Sequence, residues 1–244
     1  MNTALARRVF AEFLGTALLL AAVIGSGIAA QRLSPDDVGL QLLENSTATA
    51  AALVAIILAL GPVSGAHLNP VVTLADRVFG ALTTGQAAAY ITAQLLGGAA
   101  GSVIANLMFS LPAVQISTTH RSSPGLWLGE VVATFGLLLV IFGVVRSRRP
   151  SAAPFAVGAY IGAAYWWTSS TSFANPAATL ARTLTDSFAG IAPASTGAFL
   201  IAELIGAALA VLAIAILYPN IKDSAPDVVL PHNSQEAQPL EVTP

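Results

Sequence analysis

Two long stretches of this sequence contain no charged residue, and each contains an Asn-Pro pair. The first stretch lies between Glu44 and Asp76, and the second lies between Arg149 and Arg182. Each is too long for a single helix across the apolar part of a bilayer, which needs about 20 residues. Because proline is well tolerated at the first position of a helix, we interpret each pair as the start of a short second helix at membrane depth.

The low proportion of charged residues indicates the class of protein. Of 244 residues, 9% are charged and 55% are hydrophobic, whereas a soluble domain carries about 25% charged residues. The chain therefore lacks the charges needed to cover a surface in water, and its surroundings are predicted to be membrane lipids. The net charge of −2 gives no reason to expect a nucleic-acid partner, and the absence of cysteine excludes disulfides and thiolate metal sites. We expect no cofactor and no metal.

Six apolar segments have a length close to one membrane crossing, and they predict an all-α membrane protein with six transmembrane helices and two re-entrant half-helices. The predicted spans cover residues 9–30, 47–61, 86–111, 126–145, 153–168 and 196–218. With the N-terminus inside, seven of the ten Lys and Arg residues lie on the cytoplasmic side, which predicts that both termini are cytoplasmic. Tyr165, Trp166 and Trp167 close the fifth span and are typical of an aromatic belt at the membrane interface. The alternative for Tyr165 is that it approaches the lumen.

The two halves of the chain share landmarks in the same order. Glu12 opens the first span and Glu130 opens the fourth, while Gln94 in the third span parallels Glu203 in the sixth. The Asn-Pro pairs also occur once per half. Since a unit of three spans has an odd number of crossings, the second copy must enter the membrane upside down, as in the inverted repeats of channels and transporters.

These landmarks define the predicted domain organisation. One channel domain covers residues 1–218, with its first repeat at about 8–111 and its second repeat at about 125–218. The segment 219–244 is rich in proline and polar residues, and we predict a disordered cytoplasmic tail there.

The two Asn-Pro pairs lie in longer motifs. Residues 61–75 read GPVSGAHLNPVVTLA, and residues 169–181 read SSTSFANPAATLA. Over about residues 8–218 the chain resembles the aquaporin and glycerol-facilitator family, the major intrinsic proteins. The resemblance implies the aquaporin fold, a homotetramer with one pore per subunit, and a passive channel rather than an enzyme. It also implies that two boxes line the pore, which are formed by Asn69, Pro70 and Val71 and by Asn175, Pro176 and Ala177.

Elementary electrostatics also assigns the paired boxes a role. Two half-helix N-termini that point at the membrane midplane place two positive dipole ends there, and their field repels cations, hydronium included. The side chain of Asn69 or Asn175 can cap its helix with the oxygen and turn its NH₂ group toward the lumen, where it meets an oxygen atom of a small neutral solute. The alternative is that both asparagines serve only as caps.

The second box departs from the family at the position after Asn-Pro-Ala. Family members commonly have an arginine there, and this chain has Ala178. Carried over by spacing without gaps, the other filter positions of the family fall on Thr49, Ala163 and Ser172. All four residues are small, so the resemblance implies a wide outer constriction without a bulky or permanently charged side chain. The first box differs as well, with Val71 in place of alanine, a change that helix packing is expected to tolerate.

A wide and neutral constriction favours uncharged polar solutes such as glycerol, urea and the neutral acids of arsenic, antimony and boron. The sequence of the second box also resembles a bacterial subgroup that lacks the arginine and is associated with arsenic resistance operons. We therefore expect a bacterial plasma-membrane channel for arsenous acid (arsenite), related acids or glycerol, with some passage of water. The alternatives are a water-selective aquaporin and a coupled secondary transporter, which would need titratable groups at the midplane.

Four further polar residues are expected to support the pore. The family resemblance implies that Glu12 and Glu130 accept hydrogen bonds from the half-helix loops, although carboxylates inside a membrane also suggest a proton relay. His67 is either a pH-sensitive group that lines the pore or a ring held by loop backbone. Arg182 is expected to pair with Asp186 or with loop carbonyls, and the alternative is that it partly replaces the missing filter arginine.

Overall fold

The computed structural model describes residues 3–146 and 149–219, and the regular elements within these ranges are helices. In chain order the α-helices are α1 (Thr3–Leu33), α2 (Val38–Ser64), α3 (Pro70–Phe79), α4 (Thr84–Met108), α5 (Pro124–Arg146), α6 (Ala153–Trp167), α7 (Pro176–Ala181) and α8 (Pro193–Leu217). Two short 3₁₀ helices, Pro150–Ala152 and Arg182–Leu184, precede α6 and follow α7. The tail predicted at 219–244 lies, apart from its first residue, outside the described residues.

The long helices occur in the predicted order, and five of the six predicted spans are long and apolar enough to cross a bilayer. Among the described residues, these five helices are α1, α2, α4, α5 and α8. The fifth predicted span corresponds to α6, which has 15 residues and at about 1.5 Å per residue is only about 22 Å long. The 3₁₀ turn before α6 and the loop after it extend this segment. The all-α architecture, with six long helices and two half-helices, is confirmed.

Helix α2 begins nine residues before the predicted span at 47–61. Asp37 caps its N-terminus, since the Asp37 side chain accepts a hydrogen bond of 2.9 Å from the Leu40 N–H. The added turns contain polar residues that point at α1 rather than at lipid: the Asn45 amide donates to the Val23 carbonyl and to the Ser26 hydroxyl, both at 2.8 Å. Hydropathy alone cannot show that a polar side chain is paired with a neighbouring helix. The predicted span is therefore shorter than α2.

The two half-helices begin at the Asn-Pro pairs, as predicted. Pro70 is the first residue of α3, and Pro176 is the first residue of α7. Each half-helix packs against its own repeat and also against the third helix of the other repeat, so that α3 contacts α8 and α7 contacts α4. At the second of these crossings, Gly98 of α4 leaves room for the backbone of Ala177. The repeats are therefore interlocked rather than side by side.

Glycine allows the first and third helices of each repeat to touch through their backbones. A Cβ atom at Gly97 of α4 would clash with the backbone of Phe13 in α1. At the corresponding crossing in the second repeat, a Cβ atom at Gly206 of α8 would clash with the backbone of Val131 in α5. Because the clash is with backbone, no rotation of a neighbouring side chain relieves it. This close approach brings the third helix of each repeat near the loops of the half-helices.

We predict that Gly97→Ala destabilises the protein by about 1–3 kcal/mol, because the methyl group forces α1 and α4 apart in a packed interface. Gly85→Ala is the matched control on the same helix, since a Cβ atom there meets nothing within 4 Å and alanine favours helix over glycine. Thermal unfolding of the purified protein in detergent measures both. A melting temperature for Gly97→Ala equal to that of Gly85→Ala would contradict this account of the crossing.

Candidate functional site

A cavity lies where the two half-helices meet. Its volume of about 60 Å³ has room for several waters, since one water needs about 10–15 Å³ of such volume. Its walls are apolar and come from α1, α2, α5 and α6: Leu19, Val23, Leu53, Ile57, Leu137, Ile141, Val157 and Ile161. Its polar groups are concentrated near the half-helix loops and on α2 and α6: Thr49, His67, Asn69, Tyr165, Ser172, Asn175 and Arg182.

Both asparagines cap their half-helices. The Asn69 side-chain oxygen accepts a hydrogen bond of 3.0 Å from the Val71 N–H. In the second box, the Asn175 oxygen accepts from the Ala177 N–H at 3.0 Å and from the Ala178 N–H at 3.3 Å. The valine in the first box is accommodated, because its side chain is fully buried in the packing around α3. Capping thus fixes the orientation of both amides toward the cavity that they line.

The NH₂ groups of the two asparagines also link the halves of the molecule. The Asn69 amide donates to the Ala174 carbonyl at 2.7 Å, and the Asn175 amide donates to the Leu68 carbonyl at 2.9 Å. An amide carries two N–H donors, so one donor of each asparagine is used across the repeat boundary and one remains for the lumen. The expectation that the whole NH₂ group serves the lumen is therefore corrected.

The loops before the two boxes have an unusual backbone. Ala66 and Leu68 have positive φ values of 46° and 52°, and Ser172 and Ala174 have values of 51° and 46° at the corresponding positions of the second loop. Residues with a side chain rarely occupy this left-handed region, and each costs about 1–3 kcal/mol unless its surroundings hold it. The repeated pattern indicates that both loops are held in one defined shape.

Glu12 and Glu130 hold these loops. The Glu12 carboxylate accepts hydrogen bonds from the backbone N–H groups of His67 (3.0 Å) and Leu68 (2.7 Å), and also from the side chains of Ser64 (2.7 Å) and Gln94 (2.8 Å). All of these groups are buried.

In the second repeat, Glu130 accepts from the Phe173 N–H at 2.8 Å and from the Ala174 N–H at 2.7 Å. Glu203 adds a third carboxylate, which accepts from the Asn175 N–H at 3.1 Å and from the Thr179 hydroxyl at 2.6 Å. None of the three carboxylates is among the residues that line the cavity. Their contacts fit a scaffold better than a proton relay.

The filter residues expected from spacing are only partly brought together. Thr49, Ser172 and Ala178 line the cavity. Ala163 does not, and its expected place in the lumen is wrong: it is exposed and lies in a groove on the outer surface between α2 and α6. Tyr165 takes the lumen position instead, with its hydroxyl 3.3 Å from the Thr49 hydroxyl. Residues two apart on an α-helix differ in direction by about 200°. An error of two positions in the register therefore moves the expected residue to the opposite face of α6.

Bulky and charged side chains also lie in this part of the cavity, contrary to the expectation of a wide, neutral constriction. Arg182 is buried, donates from Nε to the Ala189 carbonyl, and has its guanidinium carbon 3.4 Å from the centre of the Phe173 ring. The loop carbonyl was one of its expected partners. The other, Asp186, instead accepts hydrogen bonds of 2.9 and 3.0 Å from Thr118. Phe173 was missed, since the sequence contains no signal for which way it points.

His67 lines the opposite part of the cavity, on the side of the first loop. Its Nδ1 atom is 3.1 Å from the Thr73 hydroxyl, and its Nε2 atom is 3.6 Å from a carboxylate oxygen of Asp76. Side chains of α3 therefore contact both nitrogen atoms of the ring. The loop contact predicted for His67 is made by its backbone N–H, which donates to Glu12.

Comparison with known proteins adds independent findings. A model of the family described as major intrinsic protein matches residues 1–212. The aquaglyceroporin AqpS of Rhizobium meliloti (strain 1021) is 48% identical over 227 residues, which covers 91% of this chain and 97% of that protein. The probable aquaporin AqpM of Archaeoglobus fulgidus is 32% identical over 216 residues, covering 78% and 88%.

The X-ray structure of the aquaglyceroporin from Plasmodium falciparum is similar in fold. It matches with a TM-score of 0.67 at 22% identity, and the match covers 89% of this chain and 98% of that chain. At this level of identity the likeness concerns the fold alone. It agrees with the arrangement of six long helices and two half-helices around one cavity.

We predict that Glu12→Gln lowers the free energy of unfolding by about 2–4 kcal/mol. The glutamine NH₂ group cannot accept a hydrogen bond, so buried N–H and O–H donors that now bind the carboxylate would lose their acceptor. Glu44→Gln is the matched control, since Glu44 accepts a single hydrogen bond, of 2.9 Å from Ser34, at the half-exposed end of α2. Thermal unfolding in detergent compares the two variants. Equal shifts in melting temperature would show that the four contacts to Glu12 carry no special weight.

Proposed function

This chain belongs to the major intrinsic protein family, whose members are membrane channels and not enzymes, and we propose that it is a passive channel for small uncharged solutes with several hydroxyl groups. The observation that carries the proposal is the cavity between the half-helices, where the amides of Asn69 and Asn175 face apolar walls. A neutral solute that loses water at these walls regains hydrogen bonds from the two amides. An ion loses far more hydration than two amides can replace.

The half-helices supply the barrier to cations. The N-termini of α3 and α7 lie at the asparagines, so both positive dipole ends are directed at the same point of the pathway. A proton that arrives as hydronium meets this field, whereas a neutral solute does not. The apolar side chains of α1, α2, α5 and α6 in the cavity wall offer a moving charge no hydrogen bonds.

Within this class, the proposed solutes are arsenous acid and glycerol, with water as a further permeant. Both solutes are neutral and carry three hydroxyl groups. These hydroxyls can accept hydrogen bonds from the asparagine amides and donate hydrogen bonds to backbone carbonyls of the loops. Ala178 leaves the position after the second box without a long side chain. The relative of 48% identity is named as an aquaglyceroporin, which supports solutes of this kind.

The proposal includes an orientation and an assembly. In the described part of the chain, five of the eight arginines lie at helix ends or in a loop on the side of the N-terminus, namely Arg7, Arg8, Arg77, Arg146 and Arg149. This distribution favours cytoplasmic termini in a bacterial plasma membrane. The cavity end that contains Tyr165 and Arg182 then faces outward. We also propose a homotetramer with one pore in each subunit, which the resemblance to the family supports.

A water-selective channel is the second candidate, and the narrow outer part of the cavity favours it. Tyr165, Phe173 and Arg182 occupy space that a wide filter would leave open. The two candidates differ in one measurable ratio, the permeability of glycerol or arsenous acid relative to that of water. A coupled transporter is disfavoured, because the carboxylates near the midplane are engaged with backbone.

We predict that liposomes containing the protein take up water, glycerol and arsenous acid faster than empty liposomes, as measured by stopped-flow light scattering. Ala178→Leu should lower glycerol and arsenous acid permeability by about tenfold or more, because the larger side chain enters a constriction of molecular size. Ala163→Leu is the matched control: the same substitution in the outer groove should leave permeability within about twofold of the parent.

Two results would contradict the proposal. Fast water flux with no solute flux would establish the water-selective candidate. Rates that change when a proton or sodium gradient is imposed would establish coupling instead of passive flow. A loss of flux in Ala163→Leu, with Ala178→Leu unaffected, would reverse the assignment of the two positions.

A further inference from the structure

The outer part of the cavity contains a guanidinium group that does not come from the position after the second Asn-Pro-Ala. Arg182 is the C-cap residue of α7, one helical turn beyond Ala178. Residues four apart lie on the same face of a helix, so the small side chain of Ala178 leaves the space into which Arg182 can extend. We propose that Arg182 is the residue that determines selectivity in the outer constriction, admitting neutral solutes with several oxygen atoms and excluding cations. This inference rests on the channel function proposed above.

The contacts of Arg182 leave its terminal nitrogens available to a solute. Its Nε atom donates to the Ala189 carbonyl. Within residues 3–146 and 149–219, no acceptor is bound by the two terminal nitrogens of Arg182. These nitrogens are not fully buried, and because Arg182 lines the cavity, they remain accessible from it. These nitrogens can donate several N–H bonds in a plane. One side of the guanidinium is thus used for anchoring and the other remains for the lumen.

The Ala189 carbonyl and the Phe173 ring hold Arg182 in position, and neither group carries a negative charge that would neutralise it. The Phe173 ring lies 3.4 Å from the guanidinium carbon, and a desolvated cation over an aromatic face is attracted to it. The carboxylates of Glu130 and Glu203 attract Arg182, and Arg121 repels it. In the described part of the chain, neither carboxylate forms a salt bridge with Arg182 within 4 Å. Arg182 therefore lies near these carboxylates without being paired to either, and its positive charge borders the lumen in surroundings of low dielectric constant.

Other polar groups complete the site. The Ser172 hydroxyl is buried and has no hydrogen-bond partner among the residues that the structure describes. The hydroxyls of Thr49 and Tyr165 lie 3.3 Å apart on the facing helices. All of these groups line the same cavity as Arg182. A solute with two or more oxygen atoms can accept from Arg182 while it exchanges a hydrogen bond with Ser172, whereas a cation finds a repelling charge and a single unpartnered hydroxyl.

The test compares two substitutions at Arg182 with one at Arg121. Arg182→Met removes the charge and keeps an unbranched side chain of similar length, and Arg182→Lys keeps the charge but not the planar set of donors. Arg121→Met is the matched control. Arg121 also lies over the Phe173 ring, at 5.3 Å, and donates to the Gly190 and Phe188 carbonyls, but it does not line the cavity.

Vesicles with each variant are assayed for sodium leak, water flux and the uptake of glycerol and of the larger polyol erythritol. We expect Arg182→Met to raise the sodium leak about tenfold or more, and to raise the ratio of erythritol to water permeability by a similar factor, because charge and bulk are both removed. Arg182→Lys should keep sodium out while raising the erythritol ratio. Arg121→Met should stay within about twofold of the parent protein in every readout.

The possible failures are distinguishable. Equal changes in Arg182→Met and Arg121→Met would overturn the inference, because they would indicate a structural role shared by both arginines. Unchanged leak and unchanged permeability ratios in both Arg182 variants would also overturn it. If Arg182→Met does not fold, as judged by its melting temperature, the erythritol ratio of Arg182→Lys decides. A parent protein that conducts water but no polyol or arsenous acid would overturn the proposed function alone, since leak and water flux still test Arg182.

Discussion

The structure depends on carboxylates that bind loop backbone inside the membrane. Each half-helix loop contains residues at positive φ and presents N–H groups that have no partner in a helix, which a bilayer does not tolerate unless protein satisfies them. Glu12 and Glu130 accept hydrogen bonds from these groups. The same bonds compensate the carboxylates for their own loss of water. The loop and the carboxylate are each stable only with the other.

The two repeats share this scaffold but present different chemistry to the cavity. His67 and Phe173 both stand two residues before the asparagine of their box, and Asp76 and Arg182 both stand seven residues after it. In the first repeat these positions form a His–Asp contact of 3.6 Å, and in the second they form an Arg–Phe contact. The inverted symmetry therefore places an acidic group near one end of the cavity and a basic group near the other.

Much of this arrangement could be predicted from the sequence, because its signals are local. An Asn-Pro pair inside an uncharged stretch marks a helix start in any context, and Glu12 and Glu130 are conspicuous in apolar helices. The face of α6 could not be predicted, since the helix is apolar all around and offers no periodicity to set its phase; Ala163 was chosen where Tyr165 lies. The direction of Arg182 depends on the Ala189 carbonyl and on Phe173, contacts that form only when the loop after α7 closes.

The exchange of hydrogen bonds between the halves constrains the order in which the protein can be made. The Asn69 amide donates to Ala174, and the Leu68 carbonyl accepts from Asn175, so both partners of the first loop are synthesised more than a hundred residues later. Until then the Asn69 amide and the Leu68 carbonyl lack these two partners in a medium with little water. The first half therefore completes its fold only when the second half has entered the bilayer from the opposite direction.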